Sequence, residues 1–307
     1  MSNGENAIIA ALDIGTNSFH LVIAKVVEGG FEVIETEKET VRIGHGAGDM
    51  NELSADAIDR GIACLVRMQK IAASHNAEIR AVATSAVREA KNRFEFIRRA
   101  KKEAQIDIEV ISGVEEARLI HLGALHGVGE HERPMLLCDI GGGSTEFVLG
   151  TETVEAAKSV NIGCVRMSER HFTGDLPDPG QVAAATEDID EAIAQAAKLV
   201  PITTAKTLIA VAGTATTVAA AALDLPEYDR YAIHLSHIPA EKVHLVSQTL
   251  IKMTRTQREA LGYMHPGRVD VISAGSLVLS RIMRATGATE FVASESDILD
   301  GMAWSLV

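Results

Sequence analysis

The sequence predicts an α/β chain of 307 residues, built as two similar domains with a cleft between them. Three observations carry that reading. Short apolar runs with strand character alternate with segments whose apolar residues recur at helical spacing, from one end of the chain to the other. An Asp-Ile-Gly turn set between apolar runs occurs twice, at Asp13-Ile14-Gly15-Thr16-Asn17-Ser18 and at Asp139-Ile140-Gly141-Gly142-Gly143-Ser144. Laid over each other without gaps, the two stretches match at Asp13/Asp139, Ile14/Ile140, Gly15/Gly141, Ser18/Ser144 and Val22/Val148, the mark of an internal repeat. The division falls at the polar stretch from Gly127 to Pro134. It gives domains of 1–126 and 127–307, with the last helix able to pack back on the first domain.

In chain order, residues 7–13 and 18–27 read as the strands of a hairpin around the first turn, and Phe31 to Ile43 as a third strand. Gly44-His45-Gly46-Ala47-Gly48-Asp49 resembles a dinucleotide fingerprint. It lacks the final glycine and the βαβ setting, so it reads as a connection. Ser54 caps a helix running to about His75, with Ile58, Ile62, Leu65, Met68 and Ile71 near helical spacing. Ile79 to Thr84 is a strand, followed by Ser85-Ala86-Val87-Arg88. Asn92 caps the next helix, whose Arg98, Arg99, Lys101 and Lys102 read as a solvated face. Ile106 to Ile111 is a short strand, and Ser112-Gly113-Val114-Glu115-Glu116 opens a helix.

Past the second turn, Glu155 to Ile162 is extended and Asn161-Ile162-Gly163-Cys164-Val165-Arg166-Met167 enters a short helix. Leu176-Pro177-Asp178-Pro179-Gly180 breaks the chain before an alanine-rich helix over 181–199. Leu208 to Ala212 is a buried strand that Gly213-Thr214-Ala215-Thr216-Thr217 joins to a helix. Further helices open at Pro239 and at Thr254 or Thr256. The stretch from His265 to Gly275 begins a long helix ending near Thr286-Gly287. Phe291-Val292-Ala293 is the last strand, and the closing helix begins within Ser296 to Gly301.

Bulk properties narrow the function. The chain is 47% hydrophobic and 23% charged, ordinary for a soluble globular protein. No apolar run approaches a membrane span, and Met1 to Asn6 lacks a signal pattern, so a cytoplasmic location without membrane association is expected. Cys64, Cys138 and Cys164 have no metal-type spacing and read as free, buried thiols. A formal net charge of −13 argues against nucleic-acid binding. A polyanionic ligand would need local help from backbone amides, a metal ion and concentrated basic groups.

The turns offer that help. Glycine lets a ligand approach the main chain, and successive amides in a tight turn can point at one anion. Asp139, at a strand end, is placed to hold a divalent cation directly or through water. Arg88 directly follows a strand end, where ligand-facing residues of open α/β sheets collect. Gly213 and Thr214, between strand and helix, form a third candidate anion or nucleotide contact. Glu115 and Glu116 stand in a helical first turn, where the dipole favours acids. Successive helical residues point about 100° apart, so one glutamate can cap or meet solvent while the other faces a cleft.

Taken together, Asp13-Ile-Gly-Thr-Asn-Ser-Phe-His, Ala83-Thr-Ser-Ala-Val-Arg-Glu-Ala, Ile111-Ser-Gly-Val-Glu-Glu-Ala-Arg-Leu, Asp139-Ile-Gly-Gly-Gly-Ser-Thr-Glu and Gly213-Thr-Ala-Thr-Thr resemble one known family. It is the exopolyphosphatase/guanosine pentaphosphate phosphatase family of the actin-like superfamily. Asn161-Ile-Gly-Cys-Val-Arg and Arg268-Val-Asp-Val-Ile-Ser-Ala-Gly add support, and the motifs span nearly the whole chain in family order. The resemblance implies two actin-like (ribonuclease H-like) domains and hydrolysis of the terminal phosphoanhydride of inorganic polyphosphate.

On this reading Glu116 activates water. Gly15, Thr16, Asn17 and Ser18 of one turn and Gly141, Gly142, Gly143, Ser144 and Thr145 of the other cradle phosphates, and Arg88 neutralises charge. Asp139, with Asp13 and Glu146 as secondary candidates, holds Mg²⁺, Mn²⁺ being the alternative. A homodimer is implied. Longer family members carry further helical domains beyond the point matching Val307. Short two-domain members also exist, so truncation is not required.

The alternative substrate is guanosine pentaphosphate (pppGpp). Aromatic residues make up only 4% of the chain and offer no evident base-stacking platform, which favours polyphosphate. An ATP-dependent kinase of the same fold is disfavoured by the Glu115-Glu116 motif. A non-catalytic actin-like nucleotide-binding module is disfavoured by the presence of Glu116, Asp139 and Arg88. A P-loop NTPase is excluded, because no glycine turn ends in Lys followed by Ser or Thr.

Overall fold

The computed structural model describes residues 6–46 and 51–307. The first five residues of the expected non-signal start, and Ala47-Gly48-Asp49 of the glycine connection, lie outside the described residues. The chain forms two compact units, Met1–Gly123 with Ile298–Val307, and Ala124–Asp297. The expected α/β class, with a repeated sheet, is present.

In the first unit β1 (Ile8–Ile14), β2 (Phe19–Val27), β3 (Gly30–Glu39), β4 (Glu78–Ala83) and β5 (Ile108–Val110) form one sheet in the order β3-β2-β1-β4-β5. β2 is antiparallel to both β1 and β3, whereas β4 runs parallel to β1 and β5 parallel to β4. The central β1 is a nearly continuous apolar run because it is buried on both faces; Ile9 to Leu12 and Ile14 are at most 3% exposed.

Helix α1 (Ala55–Ser74) begins at Ser54, whose hydroxyl accepts from the Ala57 N–H at 3.2 Å, and it buries Ile58, Ile62, Leu65 and Met68. Then come α2 (Ser85–Glu89), α3 (Arg93–Arg99) and α4 (Gly113–Gly127). The closing helix, Ile298–Trp304, returns to this sheet, with Trp304 edge-on to Phe31 at 5.4 Å between ring centroids.

Two local expectations change here. The third strand ends at Glu39, not Ile43. Arg42 adopts φ 54°, which breaks the extended backbone, and the Arg42 and Gly44 amides donate to Asn17 O at 2.8 Å and Thr16 O at 3.2 Å. That segment serves the first turn instead of the sheet. Asn92 does stand at the start of α3, but its side chain caps nothing there. It accepts from Leu53 N at 2.9 Å and donates to Leu53 O at 2.8 Å.

The second unit holds β6 (Met135–Ile140), β7 (Thr145–Gly150), β8 (Val154–Val160), β9 (Thr207–Val211), β10 (His237–Pro239) and β11 (Glu290–Ala293), ordered β10-β11-β9-β6-β7-β8. Read from β8, the first five strands repeat the pattern of the first unit: two antiparallel pairings, then two parallel ones. The short β10, ending in proline at the sheet edge, is an addition with no weight in the sequence pattern.

The helices are α5 (Cys164–His171), α6 (Pro179–Ala197), α7 (Ala212–Ala222), α8 (Arg230–Ile233), α9 (Ala240–Lys252), α10 (Arg255–Glu259) and α11 (Ile272–Thr286). A core of Leu136, Phe147, Ile189, Val218, Val278 and Phe291 joins this sheet to α6, α7 and α11. α11 starts seven residues later than the His265 stretch suggested. The Val269 carbonyl accepts from Arg258 Nε at 2.9 Å and that of Asp270 from Ser168 Oγ at 2.9 Å, so side chains take bonds a helix would have used. The three thiols are free and buried, as expected, and burial pushes the Cys64 thiol up to about 12.

The closing helix depends on one close approach. A Cβ on Gly301 would stand 1.8 Å from the Leu119 carbonyl oxygen of α4. Gly301→Ala is therefore expected to destabilise the protein by about 3 kcal/mol through forced backbone movement. Urea unfolding measures it, and a midpoint equal to that of the unaltered protein would show that the helix is not seated so closely.

Candidate functional site

In the first unit three parallel strands end side by side. Asp13 is level with Val82 and Ile14 with Ala83 across β1 and β4, while Ala83 is level with Val110 across β4 and β5. The residues that follow these ends therefore collect at one sheet edge, the usual ligand side of an open α/β sheet. They are the Gly15–Ser18 turn after β1, Thr84 to Arg88 after β4, and Ser112 to Glu116 after β5.

The paired glutamates divide. Glu115 is joined to Arg118 by bonds of 2.9 and 2.8 Å, which hold its carboxyl below the usual range, and its amide is capped by Ser112 Oγ at 3.2 Å. Glu116 points elsewhere: its side chain is only 8% exposed and takes a 2.7 Å bond from Arg88 Nη1. Arg88 is itself fixed by the Ile111 carbonyl at 3.3 Å, and its own carbonyl accepts from Arg93 at 2.7 Å. Of the two acids, only Glu116 is built into the strand-end cluster with Arg88.

The first turn is closed by Gly15 N–H donating to Ser18 O at 3.1 Å, and the second by Gly141 N–H donating to Ser144 O at the same 3.1 Å. The surroundings of the second turn show how such a loop is held. Cys164 N donates to Gly141 O at 2.9 Å, Val165 N and Arg166 N to Gly142 O at 2.9 and 3.1 Å, and Gly163 N to Gly143 O at 3.2 Å. A side chain adds to these, with Arg166 Nε donating to Gly143 O at 2.8 Å.

In a trans peptide the carbonyl and the next N–H point in opposite directions. Tying the carbonyls of 141–143 toward α5 therefore turns the amides of Gly142, Gly143 and Ser144 the other way, as an anion cradle requires. Thr145, at the end of the turn, is spent structurally, donating from Oγ1 to Ile162 O at 3.1 Å.

Asp139 and Glu146 are register partners across β6 and β7, so both carboxylates lie on one face of the sheet; they are 9% and 1% exposed. Ser159 Oγ donates to Glu146 Oε1 at 2.6 Å. Asp13 instead faces His20 across β1 and β2. Among the described residues no group of three or more His, Cys, Asp or Glu is arranged to hold a metal ion. Two hard carboxylate donors on one face suit Mg²⁺, which usually keeps waters and completes its shell with phosphate oxygens. The second turn fits that ion better than the first.

Gly213 and Thr214 are placed differently from the other turns. Arg268 lies against Gly213, its guanidinium atoms 2.5–2.6 Å from where a Cβ would be, and it donates from Nη1 to Thr217 Oγ1 at 2.7 Å. The backbone entering this turn is strained, with Ala212 at φ 65°. An anion reaching the third turn would meet the Arg268 guanidinium beside the Gly213 main chain.

Two further residues, Ser85 and Arg166, belong to these surroundings without any mark in the sequence. Ser85 is 2% exposed and its hydroxyl has no hydrogen-bond partner among the described residues, although it stands at the strand-end cluster. Arg166 is 2% exposed. Neither has a local signature: Ser85 is defined by burial without a partner, and Arg166 by carbonyls of a turn more than 20 residues away.

Residues 22–307 match the Ppx/GppA phosphatase family. The chain is 40% identical to exopolyphosphatase 2 of Mycobacterium tuberculosis, with 97% of this chain and 98% of that protein covered. It is also 40% identical to a guanosine-5'-triphosphate,3'-diphosphate pyrophosphatase of Pseudoalteromonas atlantica, over 60% of this chain and 37% of that one. Among solved structures, an exopolyphosphatase of Cytophaga hutchinsonii superposes with a TM-score of 0.90 at 27% identity, covering 98% of this chain and 97% of the other. The Aquifex aeolicus PPX-GPPA enzyme superposes with a TM-score of 0.80 at 26% identity, covering 97% and 99%.

The buried hydroxyl of Ser85 carries a stability cost of about 1–3 kcal/mol for its missing partner. Ser85→Ala is accordingly expected to leave stability unchanged or raise it by about 1 kcal/mol, against the usual trend for a buried position. Chemical denaturation checks this, and a loss of more than about 1 kcal/mol would mean the hydroxyl is bonded in solution.

Proposed function

This chain belongs to the Ppx/GppA phosphatase family, and from that premise we propose that it is an exopolyphosphatase, a phosphoanhydride hydrolase releasing orthophosphate from the end of inorganic polyphosphate. The observation that carries the reading is the buried Glu116 carboxylate held 2.7 Å from Arg88 at the strand-end edge that also bears the Gly15–Ser18 turn. Hydrolysis of a phosphoanhydride needs an aligned water, a carboxylate to orient or deprotonate it, and positive groups on the phosphoryl oxygens.

Glu116 accepts the proton of the attacking water. The new P–O bond forms at the terminal phosphorus as the bridging P–O bond breaks, and the shortened chain leaves with its charge. Arg88 meets phosphoryl oxygens, and the turn amides of Gly15–Ser18 and Gly141–Thr145 are oriented donors that bind phosphate. Asp139 and Glu146 would hold Mg²⁺, or Mn²⁺ in its place. Such an ion supplies charge neutralisation on phosphate oxygens when bound. Asp13 is a secondary candidate for that role, and Gly213 and Thr214, with Arg268 beside them, for a contact further along the phosphate chain.

Guanosine pentaphosphate is the second substrate to consider, favoured by the similarity to the Pseudoalteromonas atlantica pyrophosphatase. It presents the same kind of terminal anhydride. A cytoplasmic homodimer belongs to the same reading, supported by the family resemblance. Among the described residues no helix is long and apolar enough to cross a membrane.

Phosphate release with Mg²⁺ on short polyphosphate, long polyphosphate and guanosine pentaphosphate in parallel tests the proposal. Glu116→Gln is expected to lower kcat on polyphosphate by at least about 100-fold, the scale of a lost general base. Release from the guanosine nucleotide alone would move the protein to the second substrate, and equal activity in the variant would exclude Glu116. Chelation of divalent ions is expected to abolish release, and added Mg²⁺ to restore it; activity persisting in excess chelator would rule out a metal requirement.

A further inference from the structure

Resting on the phosphate-cradle reading of the second turn, we propose that Arg166 is a positioning residue that sets the phosphate affinity of Gly141–Thr145 from behind. Its side chain is buried, and its Nε donates to Gly143 O at 2.8 Å while its amide donates to Gly142 O at 3.1 Å. One residue therefore fixes two consecutive peptide planes of the turn, and through them the directions of the Gly143 and Ser144 amides.

The first amides of a helix are normally available to an anion. Here the opening residues of α5, Cys164 to Arg166, bond the carbonyls of the turn instead. The anion-binding capacity of a helix N-terminus is thereby passed to the turn, whose amides face the opposite side.

Gly163 makes the approach possible. A Cβ there would lie 2.4 Å from both C and O of Gly142 and 2.5 Å from C of Gly143, so only glycine lets α5 come close enough to bond all three carbonyls. Because the turn amides hold phosphate in the ground state and in the transition state alike, loosening them should act on binding and not on turnover.

The test compares the unaltered protein with Arg166→Met, which keeps an unbranched side chain without the donor or the charge. Binding of tripolyphosphate is measured by calorimetry, KM and kcat on short polyphosphate are measured in parallel, and folding is followed by thermal unfolding. The expected result is a rise of about 10–100-fold in both Kd and KM, the usual scale for a group that orients a binding shell. kcat should stay within about threefold.

Unchanged Kd in a folded variant would overturn the proposal, as would a fall confined to kcat. Should Arg166→Met not unfold cooperatively, Arg166→Lys replaces it. Lysine has a methylene where Nε stood, so Kd should again rise, and unchanged Kd would again overturn the role. Absence of phosphate release by the unaltered protein counts against the hydrolase reading alone, because the tripolyphosphate affinities still decide the role of Arg166.

Discussion

The rigidity of the peptide plane is the constraint on which both glycine turns depend. A turn of small residues has many accessible conformations, and most would scatter its N–H groups. Fixing the carbonyls removes that freedom at the cost of a few hydrogen bonds. In the first unit the Thr16, Asn17 and Ser18 carbonyls accept from Gly44, Arg42 and Gly15. In the second, those of Gly141 to Gly143 accept from Gly163 to Arg166, and that of Ser144 from Gly141. The amides are then oriented before any ligand arrives, which is how preorganised donors gain their advantage over water.

The parallel strands supply the second level of order. The register of β1, β4 and β5 decides which loop residues share an edge, and it brings Arg88 to Glu116 across 28 positions of sequence. A carboxylate this buried needs a partner, since an isolated charge in such surroundings is strongly disfavoured. Arg88 provides it while leaving the rest of its planar guanidinium fork to bond other acceptors. Glu115, one residue earlier, is directed by the helix to Arg118 and so stays out of the cluster.

What the sequence made legible follows the range of the forces involved. The two Asp-Ile-Gly turns could be read because turn chemistry is local, and the alternation of strand and helix could be read from periodicity. Arg88 stood out because it follows a strand end by a few residues. The choice between Glu115 and Glu116 was legible only as a difference in direction; the bond to Arg88 is a tertiary fact. The brace on the second turn was invisible, because Arg166 and Gly143 are 23 residues apart and a side chain bonding a distant carbonyl leaves no pattern. The early end of β3 and the late start of α11 leave no local pattern for the same reason, since remote backbone and side-chain groups claim the hydrogen bonds that regular structure would have used.

The two turns match in geometry, but their supports do not. One is held by an irregular segment around Arg42, the other by the start of a helix and a buried guanidinium. The repeat thus shares the turn and differs in what stands behind it. Substitutions can therefore act on the two turns separately: a change around Arg42 bears on the first and a change at Arg166 on the second. The two loops are thus open to change one at a time.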